Sequence, residues 1–201
     1  MIGQVVSLLT RIMNTPWTRC TRPMIALKRR RLRYHRPYRR DTMLDIVRAY
    51  DALAEAQVGI LRRTLTDITA EELDWRPHAA ANAIRWILGH HLWYEGWVVD
   101  VLDDVAGGRA EAGERIRPVV DADGFWAAFT PLVARRRERF AAIEQAELDR
   151  PVTYLDAEGY TVGKVVRTHA GHLTGHTWQV KYVRGAYSRA FGTDKRVFDP
   201  M

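Results

Sequence analysis

The sequence predicts an all-α protein, a four-helix bundle with one short β-hairpin between the third and fourth helices. Three observations carry this. Four long stretches repeat apolar residues at intervals of three and four, the spacing that lines one face of an α-helix. Only one segment alternates apolar and polar residues as a strand does, and it is too short to found a sheet. The 201 residues are 47% apolar and include 7 Trp, which suits one domain with a substantial core.

The first helix starts at Leu44, after which Val47, Tyr50, Ala54, Val58, Leu61 and Leu65 advance by three and four. The segment TDITAEELDWRPH then interrupts with Asp, Thr and Pro77. A second helix is predicted from about Ala81 to Asp104. Ala83, Ile87, His90, Tyr94, Trp97 and Val101 share one stripe, and Ile84, Leu88, His91, Glu95, Val98 and Leu102 share its neighbour, so this wide face must be buried. Beyond the polar loop AGGRAEAGERIRP, a third helix carries Trp126, Phe129, Val133, Phe140 and Ile143; Pro131 either kinks it or starts it behind a Thr130 cap. PVTYLDAEGYTVG alternates around Asp156-Ala157-Glu158-Gly159, the pattern of the small hairpin. The fourth helix begins at a Thr161 N-cap and stops at Gly185. Each helix has one apolar face to bury, and a bundle buries all four.

Charge divides the chain at residue 42. Residues 1–42 carry eleven Lys or Arg against the single acid Asp41, leaving twenty of the 31 basic and twenty-three of the 24 acidic side chains to residues 43–201. The segment 1–42 therefore reads as a basic, disordered extension, with the bundle in 43–201. Its run LKRRRLRYHRPYRR is open to three readings: a tail for nucleic acid or an acidic membrane, with Tyr34 and Tyr38 available for stacking; a targeting peptide; or an extension upstream of a true start at Met43. The one cysteine, Cys20, lies in this extension. A body without disulfides suits the reducing cytoplasm. No apolar run approaches the roughly 18 residues that span a bilayer, so a soluble protein with no membrane partner is expected.

The stretch RTHAGHLTGHTWQ holds three of the 7 histidines. Val162, Val165, His169, His172, His176, Gln179 and Val183 advance by three and four, which puts the histidines on the stripe facing the bundle axis, within an arc of roughly 60°. Burying three imidazoles costs about 1–3 kcal/mol for each nitrogen left without a partner. A metal ion would meet that need. His172 and His176 stand at i and i+4, where two imidazoles can reach one ion. A pair requires a further ligand, and LGHHLWYE on the second helix offers His90 and His91 on adjacent buried stripes, between which periodicity does not choose.

ELDWRP, then NAIRWILGHHLWYE, then THAGHLTGHTWQVKYVRG resemble the DinB/YfiT-like superfamily, which includes thiol-dependent transferases and the mycothiol-dependent maleylpyruvate isomerase. The resemblance covers Leu44 to Tyr187. It implies a four-helix bundle whose divalent metal, zinc or nickel with manganese and iron as further options, is held by one histidine of the second helix and an H-x-x-x-H pair on the last. The family motif H-x-x-x-x-E matches His90 with Glu95, which makes His90 the implied ligand and His91 a core residue or a support behind the ligands. The motif H-x-x-x-H-x-x-Q matches His172, His176 and Gln179, and carries the ligand role to both histidines. Relatives often read H-H-R-G-Q where this chain has Gly175, His176, Thr177, Trp178 and Gln179. His169 is additional to the usual trio, and packing, orienting a ligand and acting as a base all stay open for it.

Three neutral imidazoles leave an ion with an open position, the arrangement of a reactive rather than a closed structural site. Such an ion lowers the pKa of a bound water or thiol, supplying a nucleophile that a cysteine-free body lacks. The resemblance implies a metal-dependent enzyme that activates a low-molecular-weight thiol, or water, for transfer to a small electrophilic substrate, and a homodimer. Tyr94, Trp97 and Trp178 are expected to lie near that site and shape its pocket, or else to belong to the core. Two other classes remain: a non-catalytic metal-binding stress-response protein, since a fold does not fix a function, and a nucleic-acid accessory protein acting through residues 1–42.

Overall fold

The computed structural model describes residues 43–105, 107, 108 and 115–192. The readings made for the basic extension 1–42 and for Cys20 fall outside them. Among the described residues are four long α-helices and one short one, α1 (Met43–Thr64), α2 (Ala70–Asp74), α3 (Ile84–Leu102), α4 (Ala122–Ala141) and α5 (Val162–Phe191), with a 3-10 turn at Gln145–Glu147. The four long helices form a closed ring, α1 against α5, α5 against α3, α3 against α4 and α4 against α1, with α2 on α3. This is the expected all-α bundle.

Helix α3 occupies the most enclosed place. Leu88, Leu92, Tyr94, Trp97, Val98 and Leu102 are all buried, on nearly every side of the helix, which is what a helix apolar all round requires. Two apolar clusters meet along it. One gathers Trp93, Trp97, Val98, Phe140, Ile143, Val165 and Val166; the other gathers Leu61, Leu88, Leu92, Phe129, Leu173 and Val180. The histidine layer of α3 and α5 lies at their junction, with His90 and His91 between Leu88 and Leu92 and with His169, His172 and His176 between Val166 and Val180. No helix among the described residues is long and apolar enough to cross a membrane.

Several local expectations change. TDITAEELDWRPH contains α2, capped by a Thr69 side chain that accepts from the Glu72 N–H while the Glu72 carboxylate accepts from the Thr69 N–H. Pro131 neither starts α4 nor stands behind a Thr130 cap. Asp121 caps the helix by accepting from the Gly124 N–H, Pro131 lies inside it, and the Thr130 hydroxyl donates to the Trp126 carbonyl instead. Ile143 is buried but lies past the end of α4. The hairpin shrinks to one antiparallel bridge, Pro151 with Thr161, because Leu155, Asp156 and Gly159 all take positive φ and turn the chain before a ladder can form. Helix α5 begins at the expected Thr161 cap but passes through Gly185, which is buried in mid-helix, and ends at Gly192 with φ 63°. Glycine stops a helix when its left-handed conformation is used, and of these two glycines Gly192 uses it.

Candidate metal centre

The centre is built from α3, α5 and the segment that precedes α4. His172 and His176 project from one face of α5, one turn apart, with ring centres 4.4 Å from each other. His90 comes from α3, and its Nε2 lies 3.0 Å from Nε2 of His172. One ligand atom from each of His90, His172 and His176 lies within 4.8 Å of the others. Nitrogens bound at about 2.0–2.1 Å sit about 2.9 Å apart at a right angle around an ion and about 3.4 Å apart at a tetrahedral angle. The 3.0 Å between His90 and His172 fits that range.

Hydrogen bonds orient two of the rings. His90 Nδ1 is 2.7 Å from the Arg115 carbonyl oxygen, which only accepts, so the proton is on Nδ1 and the lone pair is on Nε2. In the same way His176 Nδ1 donates to Gln179 Oε1 at 2.7 Å, leaving Nε2 bare. Trp86 and Trp93 stack on either side of His90, each with its ring centre 5.3 Å away, and the Tyr94 ring stacks on His172 at 3.6 Å. The Tyr94 and Tyr154 hydroxyls are 2.8 Å apart.

All three imidazoles are held neutral. Burial lowers His90 and His176, and burial together with the neighbouring imidazoles lowers His172 to about 2. A metal ligand needs this unprotonated form. His172 Nδ1 is buried without a partner, so the cluster is incomplete as a purely hydrogen-bonded core. The donor set therefore fits a divalent ion: the group can bind one, and with three protein ligands a coordination position stays open.

The remaining residues singled out in the sequence divide into four groups. His91 is fully buried, pushed down to about 3 by burial, with its ring 5.6 Å from His176 and 6.2 Å from Phe129, and it lies outside the three-nitrogen group. Glu95 and His169 pair with each other, His169 Nε2 to Glu95 Oε2 at 2.8 Å, and the His169 ring stacks on Tyr94. Trp97 is buried against Trp93 and Tyr154. Trp178 is not in the pocket: two residues beyond His176, it points about 200° round the helix and is 48% exposed, with Lys181 Nζ 4.4 Å from its ring centre.

Sequence reasoning missed Arg136. Its fully buried guanidinium donates from Nε to Glu95 at 2.7 Å and from Nη2 to Glu55 at 2.9 Å, and it also pairs with Asp51. Burial would raise the Glu95 carboxyl, but His169 and Arg136 outweigh it and hold it down at about 2. The signal was available. Phe125, Phe129, Leu132, Arg136 and Phe140 advance by three and four along α4, so Arg136 stands on the buried stripe. Arg115, whose carbonyl fixes His90, was hidden in a loop read only as polar.

No curated protein matches the chain. The family model of the DinB superfamily matches residues 52–180, more than half of the 201 residues and including both histidine-bearing stretches. With the bundle and its three converging imidazoles in place, the chain belongs to the DinB superfamily.

Proposed function

We propose that this protein is a metal-dependent enzyme that binds zinc or nickel on His90, His172 and His176 and activates a low-molecular-weight thiol, or water, for transfer to a small electrophilic substrate. The reading is carried by one observation: His90 and His176 are oriented by the Arg115 carbonyl and Gln179 with their lone pairs on Nε2, His90 Nε2 facing His172 Nε2 at 3.0 Å, beside a His172 that has no partner at Nδ1. A divalent ion held there by His90, His172 and His176 would supply Lewis acidity, lowering the pKa of a thiol or water brought beside it.

The chain's own residues prepare that position. Trp86 and Trp93 clamp the His90 ring and keep water from its faces. Tyr94 covers His172, and burial with the neighbouring Tyr154 raises its hydroxyl, which stays protonated. His169, anchored to Glu95, supports the Tyr94 ring from behind. No cysteine is present in residues 43–201, so the thiol in this scheme comes from a cosubstrate, in keeping with work in the cytoplasm.

Metal analysis of the purified protein followed by thiol-consumption assays against a panel of electrophiles tests the proposal. About one ion per chain, with thiol loss that stops on chelation and returns with metal, is expected. A fully metal-loaded protein that consumes no thiol and hydrolyses no electrophile would make it a metal holder and overturn the enzymatic reading.

A further inference from the structure

Arginine is almost never buried without a partner, because a guanidinium taken from water needs its charge and its N–H groups answered. The described residues of the body follow this rule with one departure. Arg136 and Arg184 are buried and Arg85, Arg139 and Arg150 half-buried, and each pairs with a carboxylate: Arg85 with Asp74, Arg136 with Glu95, Arg139 with Asp103, Arg150 with Glu147 and Arg184 with Glu72. Arg115 is half-buried too, yet among the described residues no carboxylate pairs with it. Its guanidinium carbon lies 5.9 Å from the centre of the Trp93 ring, the ring that stacks on His90.

The location is built. The Arg115 carbonyl accepts from His90 Nδ1, and two residues on the Arg117 N–H donates to the Gly89 carbonyl at 3.0 Å. A Cβ at Gly89 would fall 2.4 Å from the Arg117 carbonyl oxygen, so only glycine lets the segment lie this close to α3. The chain is thus pressed onto α3 beside a candidate ligand, and the Arg115 side chain starts from a fixed point.

We infer that the Arg115 guanidinium is the anchor for an anionic group, a carboxylate by preference, on the molecule that occupies the open position beside His90, His172 and His176. A guanidinium presents two parallel N–H donors that match a carboxylate, and the Trp93 face beneath it excludes water from one side. The substrate class is then a small molecule with its reactive atom at the three-histidine centre and a negative group displaced toward the Arg115 edge. This rests on the metal-centre reading above and narrows it.

Two thiols of equal size separate the possibilities: 3-mercaptopropionate, with a carboxylate, and 3-mercaptopropionamide, with a neutral amide in its place. Cobalt(II)-loaded protein is titrated with each, and the sulfur-to-cobalt charge-transfer absorption reports binding. The wild type is expected to bind the carboxylate about tenfold or more tightly than the amide, the usual scale of a charge-assisted hydrogen bond. Arg115→Gln, which keeps the backbone carbonyl, should bring the two affinities to within about twofold of each other, and Arg115→Lys should restore part of the preference. Equal affinities in the wild type, or a preference that survives in Arg115→Gln, would overturn the anchor. If neither thiol perturbs the cobalt spectrum, the thiol reading fails by itself; calorimetry with glycolate against glycolamide then decides the anchor by the same criterion, loss of the anion preference in Arg115→Gln supporting it and retention overturning it.

Discussion

Helix α3 carries polar side chains into the bundle at two places five residues apart, and the two are finished differently. At Glu95, every charge is answered: the carboxylate takes Arg136 on one oxygen and His169 on the other, while Asp51 and Glu55 complete the guanidinium. At His90, the charges are absent: neutral imidazoles converge, His90 Nε2 on His172 Nε2 at 3.0 Å, and His172 keeps an orphan Nδ1. The Glu95 network keeps one orphan of its own, His169 Nδ1, but its charges are all paired, which makes a core specific and rigid; uncharged nitrogens converging in a buried place mark where something else can bind. The contrast separates structure from function within a single helix.

The sharpest way to break the comparison is to remove a residue from each side. His172→Ala or His176→Ala should abolish stoichiometric metal, read by elemental analysis, while circular dichroism stays helical; full metal retention in either variant would contradict the ligand assignment. Arg136→Met should do the opposite. Removing one partner leaves buried carboxylates uncompensated and costs about 3–5 kcal/mol, a fall in melting temperature of about 10 °C, while the folded fraction still takes up metal.

Acid divides the two regions by pH. In the metal-free protein, His91 and His172 lie at about 3 and about 2 against the ordinary 6.5, so the unfolded chain takes up their protons first and stability falls as pH drops below 6.5. The slope reaches about 1.4 kcal/mol per pH unit for each histidine. Glu95, at about 2 against 4.5, contributes stability that is present above 4.5 and lost only as pH falls from 4.5 toward 2. Denaturant titrations across pH should therefore show a shallower slope below pH 6.5 in His172→Ala, where His91 still contributes, and a shallower slope only below pH 4.5 in Glu95→Gln.

The smallest effects come from residues that touch the ligands. Gln179→Ala removes the acceptor from His176 Nδ1 and should weaken metal affinity about 10- to 100-fold with no change in unfolding. His91→Ala should keep stoichiometric metal where His90→Ala loses it. Equal losses would mean that the register of α3 is misread.

How much of this was legible in the chain depended on whether the information was local. His172, His176 and Gln179 share one helix, and their spacing alone aligns them. His90 and His91 fall on adjacent stripes of a helix buried nearly all round, so burial could not choose between them; the structure buries His91 more deeply, and it was the family motif that pointed to His90. Arg136 sits in the run ARRRERF, where Arg135 and Arg137 are exposed and Arg139 is half-buried, and its partners come from two other helices. The Arg115 carbonyl could not be anticipated at all, since a backbone acceptor has no residue type to betray it.

X-ray absorption of the metal-loaded protein tests the central claim most directly. Three imidazole nitrogens at about 2.0–2.1 Å with an additional light atom, which gives way to sulfur at about 2.3 Å when thiol is added, is the predicted result. A fourth imidazole, or a sulfur from Cys20 already bound before any thiol is added, would mean a closed site and would contradict the account.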